Sequence, residues 1–246
     1  MSRTEDTRAR SRVVPFAVNT RDLGGLRGPG SGYVRPGLLY RGSAGAIEPL
    51  ARRCGLRTVV DLRSESESGD GPGRSAGLDV LARPVVGDRA VIKQHGDPRP
   101  SDYLAYYRQL VPLAVPIAVD LIDVLADPAR LPVLVCCSVG KDRTSVVCAL
   151  GLRAIGIRLA DVVRDHELSS RLLRRDGCAA RNVAWARKLT RREFDVRTTV
   201  VGWTIGRMLV EVERTYGSTV GLLAAHGLAP STVASVRDVL LGSASW

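Results

Sequence analysis

The chain has 246 residues, 45% hydrophobic and only 4% aromatic, which suits one mid-sized domain with an aliphatic core and excludes a wholly disordered chain. A formal net charge of +11 favours anionic partners: phosphorylated substrates, an anionic membrane surface or nucleic acid. Five cysteines (Cys54, Cys136, Cys137, Cys148 and Cys178) are odd in number and irregular in spacing, which excludes a disulfide framework and a paired zinc motif.

Residues 1–12 read as a flexible basic arm, polar and without the apolar stretch of a signal peptide. With free thiols, this makes the cytoplasm the expected location. Strand-like runs follow at Leu38-Leu39-Tyr40 and Thr58-Val59-Val60-Asp61-Leu62, with a helix-like stretch from Ile47 to Arg53 between them. Val80-Leu81-Ala82 is a weaker strand. The Ser/Glu/Gly-rich segment from Ser64 to Gly77 reads as loop, and so does Gly87 to Pro100, an exposed loop suited to cover a site. Ser101 is placed to cap a helix from Asp102 to about Leu110. Pro116 can open a second helix running to Ala126. The apolar stretch from Leu110 to Leu125 is interrupted by Pro112, Pro116, Asp120 and Asp123, so no transmembrane segment is expected.

Pro132-Val133-Leu134-Val135-Cys136 is a short apolar strand. A polar loop follows, then Arg143 to Ile155, a helix apolar on nearly all sides and therefore buried, with Gly156 as its stop. Beyond it the chain reads helical over 159–175, 179–190, 197–216, 218–226 and 231–241. The order predicts an α/β core over 13–156, with a mostly parallel sheet flanked by helices. A helical part over 157–246 completes a single domain over 13–246 and is suited to form a lid. Eleven Lys/Arg against six Asp/Glu lie between Arg158 and Arg197, which concentrates positive charge there.

A cysteine followed five residues later by an arginine, between a buried strand and a buried helix, has a defined chemical use. The loop Cys137-Ser138-Val139-Gly140-Lys141-Asp142-Arg143 can wrap a tetrahedral oxyanion with its backbone N–H groups, at the positive end of the helix. Arg143 can grip two phosphate oxygens, and Gly140 permits the turn. Ser138, Val139, Gly140, Lys141, Arg143 and Thr144 are thus the candidate phosphate-binding residues. A thiol of ordinary pKa about 8.5 is lowered to roughly 3.5–7.5 by helix N-termini and nearby cations. Cys137 is the candidate nucleophile, and Thr144 could donate its hydroxyl to the sulfur. The predicted reaction is in-line attack on phosphorus, a phosphocysteine intermediate and its hydrolysis, needing neither metal nor cofactor.

Val135-Cys136-Cys137-Ser138-Val139-Gly140-Lys141-Asp142-Arg143-Thr144-Ser145 resembles the HCxxGKDRTG signature of bacterial tyrosine and dual-specificity phosphatases of the mycobacterial secreted tyrosine/phosphoinositide type. Asn19-Thr20-Arg21-Asp22-Leu23-Gly24-Gly25, Arg35-Pro36-Gly37-Leu38-Leu39-Tyr40-Arg41-Gly42-Ser43, Gly55 to Ser64 and Glu213 to Ser218 resemble further elements of that family. They occur in its order, over about residues 13–241. The resemblance implies a protein-tyrosine-phosphatase-like fold and hydrolysis of phosphate monoesters, on phosphotyrosine, phosphoprotein or phosphoinositide-like substrates. Two positions depart from it: Cys136 stands where the family has histidine, and Ser145 where it has glycine. These departures favour a specialised enzyme, for instance one acting on a small phosphorylated metabolite such as a nucleotide or sugar phosphate. They also leave open a phosphate-binding protein without turnover.

The leaving oxygen needs a general acid. No Trp-Pro-Asp tripeptide occurs, so Asp142 is the first candidate, by resemblance to enzymes with KDR loops, and Asp88 the second. Arg21, Asp22, Arg41, Asp61 and Arg63 read as an ionic network bracing the loop. Tyr103, Tyr106 and Tyr107, at helical spacing, read as core. His95, His166 and His226 carry no metal-ligand pattern around them. No aromatics interleave with the basic residues, so nucleic acid is not expected as a partner, whereas peripheral contact with an anionic membrane is compatible with the charge. Cys136 and Cys137 point to opposite faces of their strand, which disfavours a disulfide between them.

Overall fold

The computed structural model describes residues 13–15, 17–68, 77–93, 98–176 and 190–243. The basic arm, Cys178 and most of the helix expected over 179–190 lie outside them.

Among the described residues seven strands are formed: β1 (Arg21–Asp22), β2 (Gly32–Val34), β3 (Leu39–Ser43), β4 (Thr58–Asp61), β5 (Asp79–Ala82), β6 (Val133–Cys137) and β7 (Leu241–Ser243). Five build the main sheet, in the order β1-β3-β6-β4-β5. β3, β6, β4 and β5 run parallel, and β1 pairs antiparallel to β3. β6 is central, with Ser43 opposite Cys137 on one side and Asp61 opposite Cys136 on the other. The carboxyl end of a central parallel strand is where such sheets place their ligands.

The helices are α1 (Ile47–Cys54), α2 (Glu65–Ser68), α3 (Ala90–Lys93), α4 (Pro100–Ala126), α5 (Asp142–Ala154), α6 (Leu159–Arg175), α7 (Arg191–Thr198), α8 (Gly202–Tyr216), α9 (Thr219–Ala224) and α10 (Pro230–Leu240). β6 shows why two hydrophobic clusters form. Its pleat sends Val133, Val135 and Cys137 towards α4 and α5, and Leu134 and Cys136 towards α1. The first cluster runs on through Ile205, Met208, Leu209, Val233 and Val236, so the carboxyl-terminal helices close the same core. Leu150, fully buried at the middle of α5, contributes on the order of 1.5–3 kcal/mol as one such side chain.

Four expectations are corrected. The two helices expected on either side of Pro112 are one helix of 27 residues, with Arg99, not Ser101, at its N-cap. Pro112 and Pro116 both lie on its exposed face, where water can take the carbonyls they leave unpaired, while the buried face continues unbroken. By length and composition this helix could cross a membrane, but 56% of its most apolar stretch is buried within the fold, as in a core helix. The helix expected over 197–216 is split into α7 and α8. At the break, Ser170 on α6 accepts from the Val200 N–H at 2.5 Å, a partner that no local pattern announces. The segments read as loop hold α2 and α3. Finally, the helix expected over 231–241 ends at Leu240, and β7 follows it to pair antiparallel with β2.

Candidate active site

The loop after β6 is shaped from behind. Asn19 Nδ2 donates to the Val139 carbonyl at 2.7 Å, and Arg41 Nη2 donates to the carbonyls of Gly140 and Lys141 at 3.0 and 3.3 Å. In a trans peptide the N–H points opposite to the C=O. Three carbonyls tied outward therefore aim the N–H groups of Gly140, Lys141 and Asp142 to the opposite side, as an anion cradle requires. Gly140 has φ +68°, and a Cβ on it would overlap the backbone of Gly42, so both conformation and space demand glycine.

The brace is itself buried. Asp165 on α6 receives Arg21 Nε at 3.1 Å and Arg41 Nη1 at 2.9 Å, all three side chains being almost wholly buried. Arg21 also donates to Asn19 Oδ1 at 2.8 Å. Asn19, at φ 47°, occupies the left-handed region that asparagine tolerates better than most residues. The expected network thus forms around Arg21 and Arg41, with Asp165 as the carboxylate the sequence reading lacked. Asp22 belongs elsewhere and accepts from the N–H groups of Gly24 and Gly37. Asp61 and Arg63 pair with each other at 2.7 Å. Burial, then the Asp61 carboxylate, push the Cys136 thiol well up, so it is a neutral thiol on the opposite face of β6 from Cys137.

Arg143 meets an unforeseen partner. Its two terminal nitrogens donate to Glu67 Oε2 and Oε1 at 2.6 and 2.7 Å, in bidentate geometry. Ser138 Oγ donates to Glu67 Oε1 at 2.5 Å and accepts from Arg143 Nη2 at 3.1 Å. Burial works against the guanidinium charge, but Glu67 and the nearby Cys137 sulfur more than offset it and raise the Arg143 pKa. Burial likewise pushes the Glu67 carboxyl up, while the bonds from Arg143, Ser138 and the Ser64 N–H pull it down to about 2. Glu67 lies on α2, in a segment whose Ser/Glu composition reads as solvated loop.

The other expected residues fall as follows. Lys141 is buried, with Nζ donating to the Arg197 carbonyl at the end of α7 at 2.6 Å and lying 4.1 Å from the centre of the Tyr103 ring. Its side chain is thus engaged away from the loop's anion side, while its N–H is among those aimed into the cradle. Thr144 Oγ1 is buried without a hydrogen-bond partner among the described residues, so the expected bond to the Cys137 sulfur is not formed. Asp88 is exposed and accepts from the Ala90 N–H at 2.8 Å, capping α3. Asp142 is buried and accepts from Tyr107 Oη at 2.9 Å. Burial alone would raise its pKa, but Lys141, Arg89 and the Tyr107 hydroxyl outweigh that and hold it below the usual carboxylate range. Among the described residues no cluster of His, Cys, Asp or Glu is arranged to hold a metal ion.

Residues 13–242 match the model of the tyrosine phosphatase family. The chain belongs to the tyrosine phosphatase family. It is 28% identical over 284 residues to the triple specificity protein phosphatase PtpB of Mycobacterium tuberculosis, across 94% of this chain and 99% of that one. Among solved structures it is similar to the core catalytic domain of the PP-IP phosphatase SIW14 from S. cerevisiae, at TM-score 0.38 and 14% identity over 82% of this chain and 96% of the other. TpbA of P. aeruginosa follows, at TM-score 0.34 and 18% identity over 76% and 94%. As a member of this family the chain is a cysteine-dependent phosphatase that hydrolyses phosphate monoesters. The His-to-Cys and Gly-to-Ser departures at Cys136 and Ser145 therefore lie within a phosphatase whose loop is intact.

One titrating group of this phosphatase was missed as a site residue. His166, fully buried, has its pKa lowered to about 3 by burial first and then by Arg41, Lys141 and Arg21, against the opposing pull of Asp142. Its ordinary value is 6.5, so below that pH the unfolded chain binds a proton that the folded chain refuses. Stability should therefore fall as pH drops from 6.5 towards 3. Urea unfolding across that range should show this decline, and His166→Phe should flatten it. An equally steep decline in the variant would place the titration elsewhere.

Proposed function

We propose that Cys137 is the nucleophile of this phosphatase, that Arg143 and the loop N–H groups of Gly140, Lys141 and Asp142 bind the transferring phosphoryl group, and that Asp142 carries the proton. The observation that carries the reading is the set of outward-tied loop carbonyls around a cysteine and an arginine five residues apart. The Cys137 thiolate attacks phosphorus and the P–O ester bond breaks, with the leaving oxygen taking a proton from Asp142. Water then attacks the phosphocysteine, its proton passes back to Asp142, the P–S bond breaks and phosphate leaves. Glu67 keeps the Arg143 guanidinium in its plane until phosphate oxygens share it.

For the substrate, we favour aryl phosphate esters of the phosphotyrosine kind, in agreement with a relative named for several specificities. A pocket of about 200 Å³ is lined by Pro98, Pro100, Tyr103, Tyr107, Val196 and Val201 among others. Its two tyrosines contact Lys141 and Asp142 of the loop. Lys141, the cation that would have served multiply phosphorylated headgroups, is engaged by Arg197 instead.

Cys137→Ser should abolish hydrolysis of an aryl phosphate with the circular dichroism spectrum unchanged, whereas Cys136→Ser should keep turnover. Activity surviving in Cys137→Ser would end the assignment. On a panel, kcat/KM should rank a phosphotyrosine peptide above a phosphoinositide and both above a sugar phosphate; a sugar phosphate in first place would overturn the substrate choice. Asp142→Asn should cost about a hundredfold or more on an alkyl phosphate, whose leaving group needs the proton, and far less on a nitrophenyl ester. Equal losses on both would remove Asp142 from the acid role.

A further inference from the structure

Four buried side chains behind the loop form a line that the reaction above does not use. Arg41 Nη2 reaches Ser145 Oγ at 2.5 Å, and Ser145 Oγ lies 2.7 Å from His166 Nδ1. His166 Nε2 lies 3.3 Å from Tyr107 Oη, which is 2.9 Å from Asp142 Oδ1. Ser145, Tyr107 and His166 are each no more than 1% exposed, so water cannot substitute for any member.

Proton accounting fixes the direction. A guanidinium only donates, and a carboxylate only accepts. With Asp142 ionised, Tyr107 must spend its single proton on Asp142. Tyr107 oxygen can then only accept from His166, which puts the imidazole proton on Nε2 and leaves Nδ1 as acceptor. Ser145, whose oxygen already accepts from Arg41, supplies the proton to Nδ1. Each bond between neighbours in the line then has one donor and one acceptor, with His166 neutral. When Asp142 is protonated on Oδ2, the oxygen outside the line, Oδ1 still accepts from Tyr107 and every bond in the line keeps its direction, so the proton on Oδ2 is left for the leaving oxygen. The chain therefore holds Asp142 in one place in both protonation states, which a group that gives up and regains a proton within each turnover needs.

We propose that Ser145 and His166 are positioning residues that act through Tyr107 to hold Asp142 in register with the leaving oxygen, with His166 neutral and its proton on Nε2 throughout. The residue ahead of the nucleophile, Cys136, is a neutral thiol facing the other cluster, so this side of the loop is braced from α6 instead. Groups facing His166 are Tyr107 on α4, Ser145 and Asp142 on α5, Lys141 in the loop, Arg41 on β3 and Arg21 on β1. The proposal rests on Asp142 taking part in proton transfer.

Two measurements on the full-length enzyme test it. Nitrogen-15 NMR of labelled histidine at neutral pH should find His166 neutral with its proton on Nε2. A proton on Nδ1, or an imidazolium, overturns the chain whatever Asp142 does in catalysis. In kinetics on an alkyl phosphate, Ser145→Ala removes one oxygen and should lower kcat about tenfold with KM within about twofold, as expected for lost orientation. The same substitution made in Asp142→Asn should change kcat no further. An equal loss in that background, or no loss in the parent, refutes the positioning role. Full activity in Asp142→Asn alone would instead refute the acid assignment, while the NMR result still judges the chain.

Discussion

Two buried guanidiniums share one carboxylate, and the shape of the phosphate loop depends on it. Arg21 and Arg41 are each at most 2% exposed, and Asp165 is the anion set between them. Unpaired, either charge would cost several kcal/mol to bury. Paired, Arg41 has donors left for two loop carbonyls and for Ser145, and Arg21 for Asn19, which grips a third carbonyl. One ion cluster thus links β1, β3 and α6 to the loop and turns its amides to the side opposite the tied carbonyls. Preorganised donors of this kind are the largest source of transition-state stabilisation in many enzymes.

Arg143 follows the same logic on the other wall. Arg143 is held by Glu67 and by the Leu62 carbonyl at 3.2 Å, so its side chain is fixed before phosphate binds. Lys141, adjacent in the loop, is turned away to the end of α7 and ties the carboxyl-terminal helices to the loop. Tyr103 donates to the same Arg197 carbonyl at 2.8 Å, which makes that helix end a shared anchor. The pocket beside it owes its apolar walls to this junction.

The strand, loop and helix that carry Cys137 and Arg143 are readable because their signal is local. A buried strand, a loop rich in small and charged residues and a helix apolar all round follow within 25 residues, and only backbone geometry is needed to place Cys137 against Arg143. The pieces that were not readable depend on distant partners. Glu67 lies in a polar stretch whose composition is the same whether it faces water or a guanidinium. His166 reads as a lone histidine on an amphipathic helix, and only the packing of α6 against α5 brings it to Ser145. Pro112 and Pro116 suggested a break, because the rule against proline in helices takes no account of which face meets solvent. The motif carries no sign that the Lys141 side chain meets the Arg197 carbonyl, 56 residues away.

The central claim is that phosphate passes through the Cys137 sulfur held by this loop. Intact-protein and peptide mass spectrometry on enzyme quenched in acid during turnover of an aryl phosphate tests it most directly. A phosphoryl adduct should appear on Cys137 in the peptide that spans the loop and be absent when Cys137 is serine. Turnover without that adduct under conditions that trap the intermediate, or an adduct on Cys136, would contradict it.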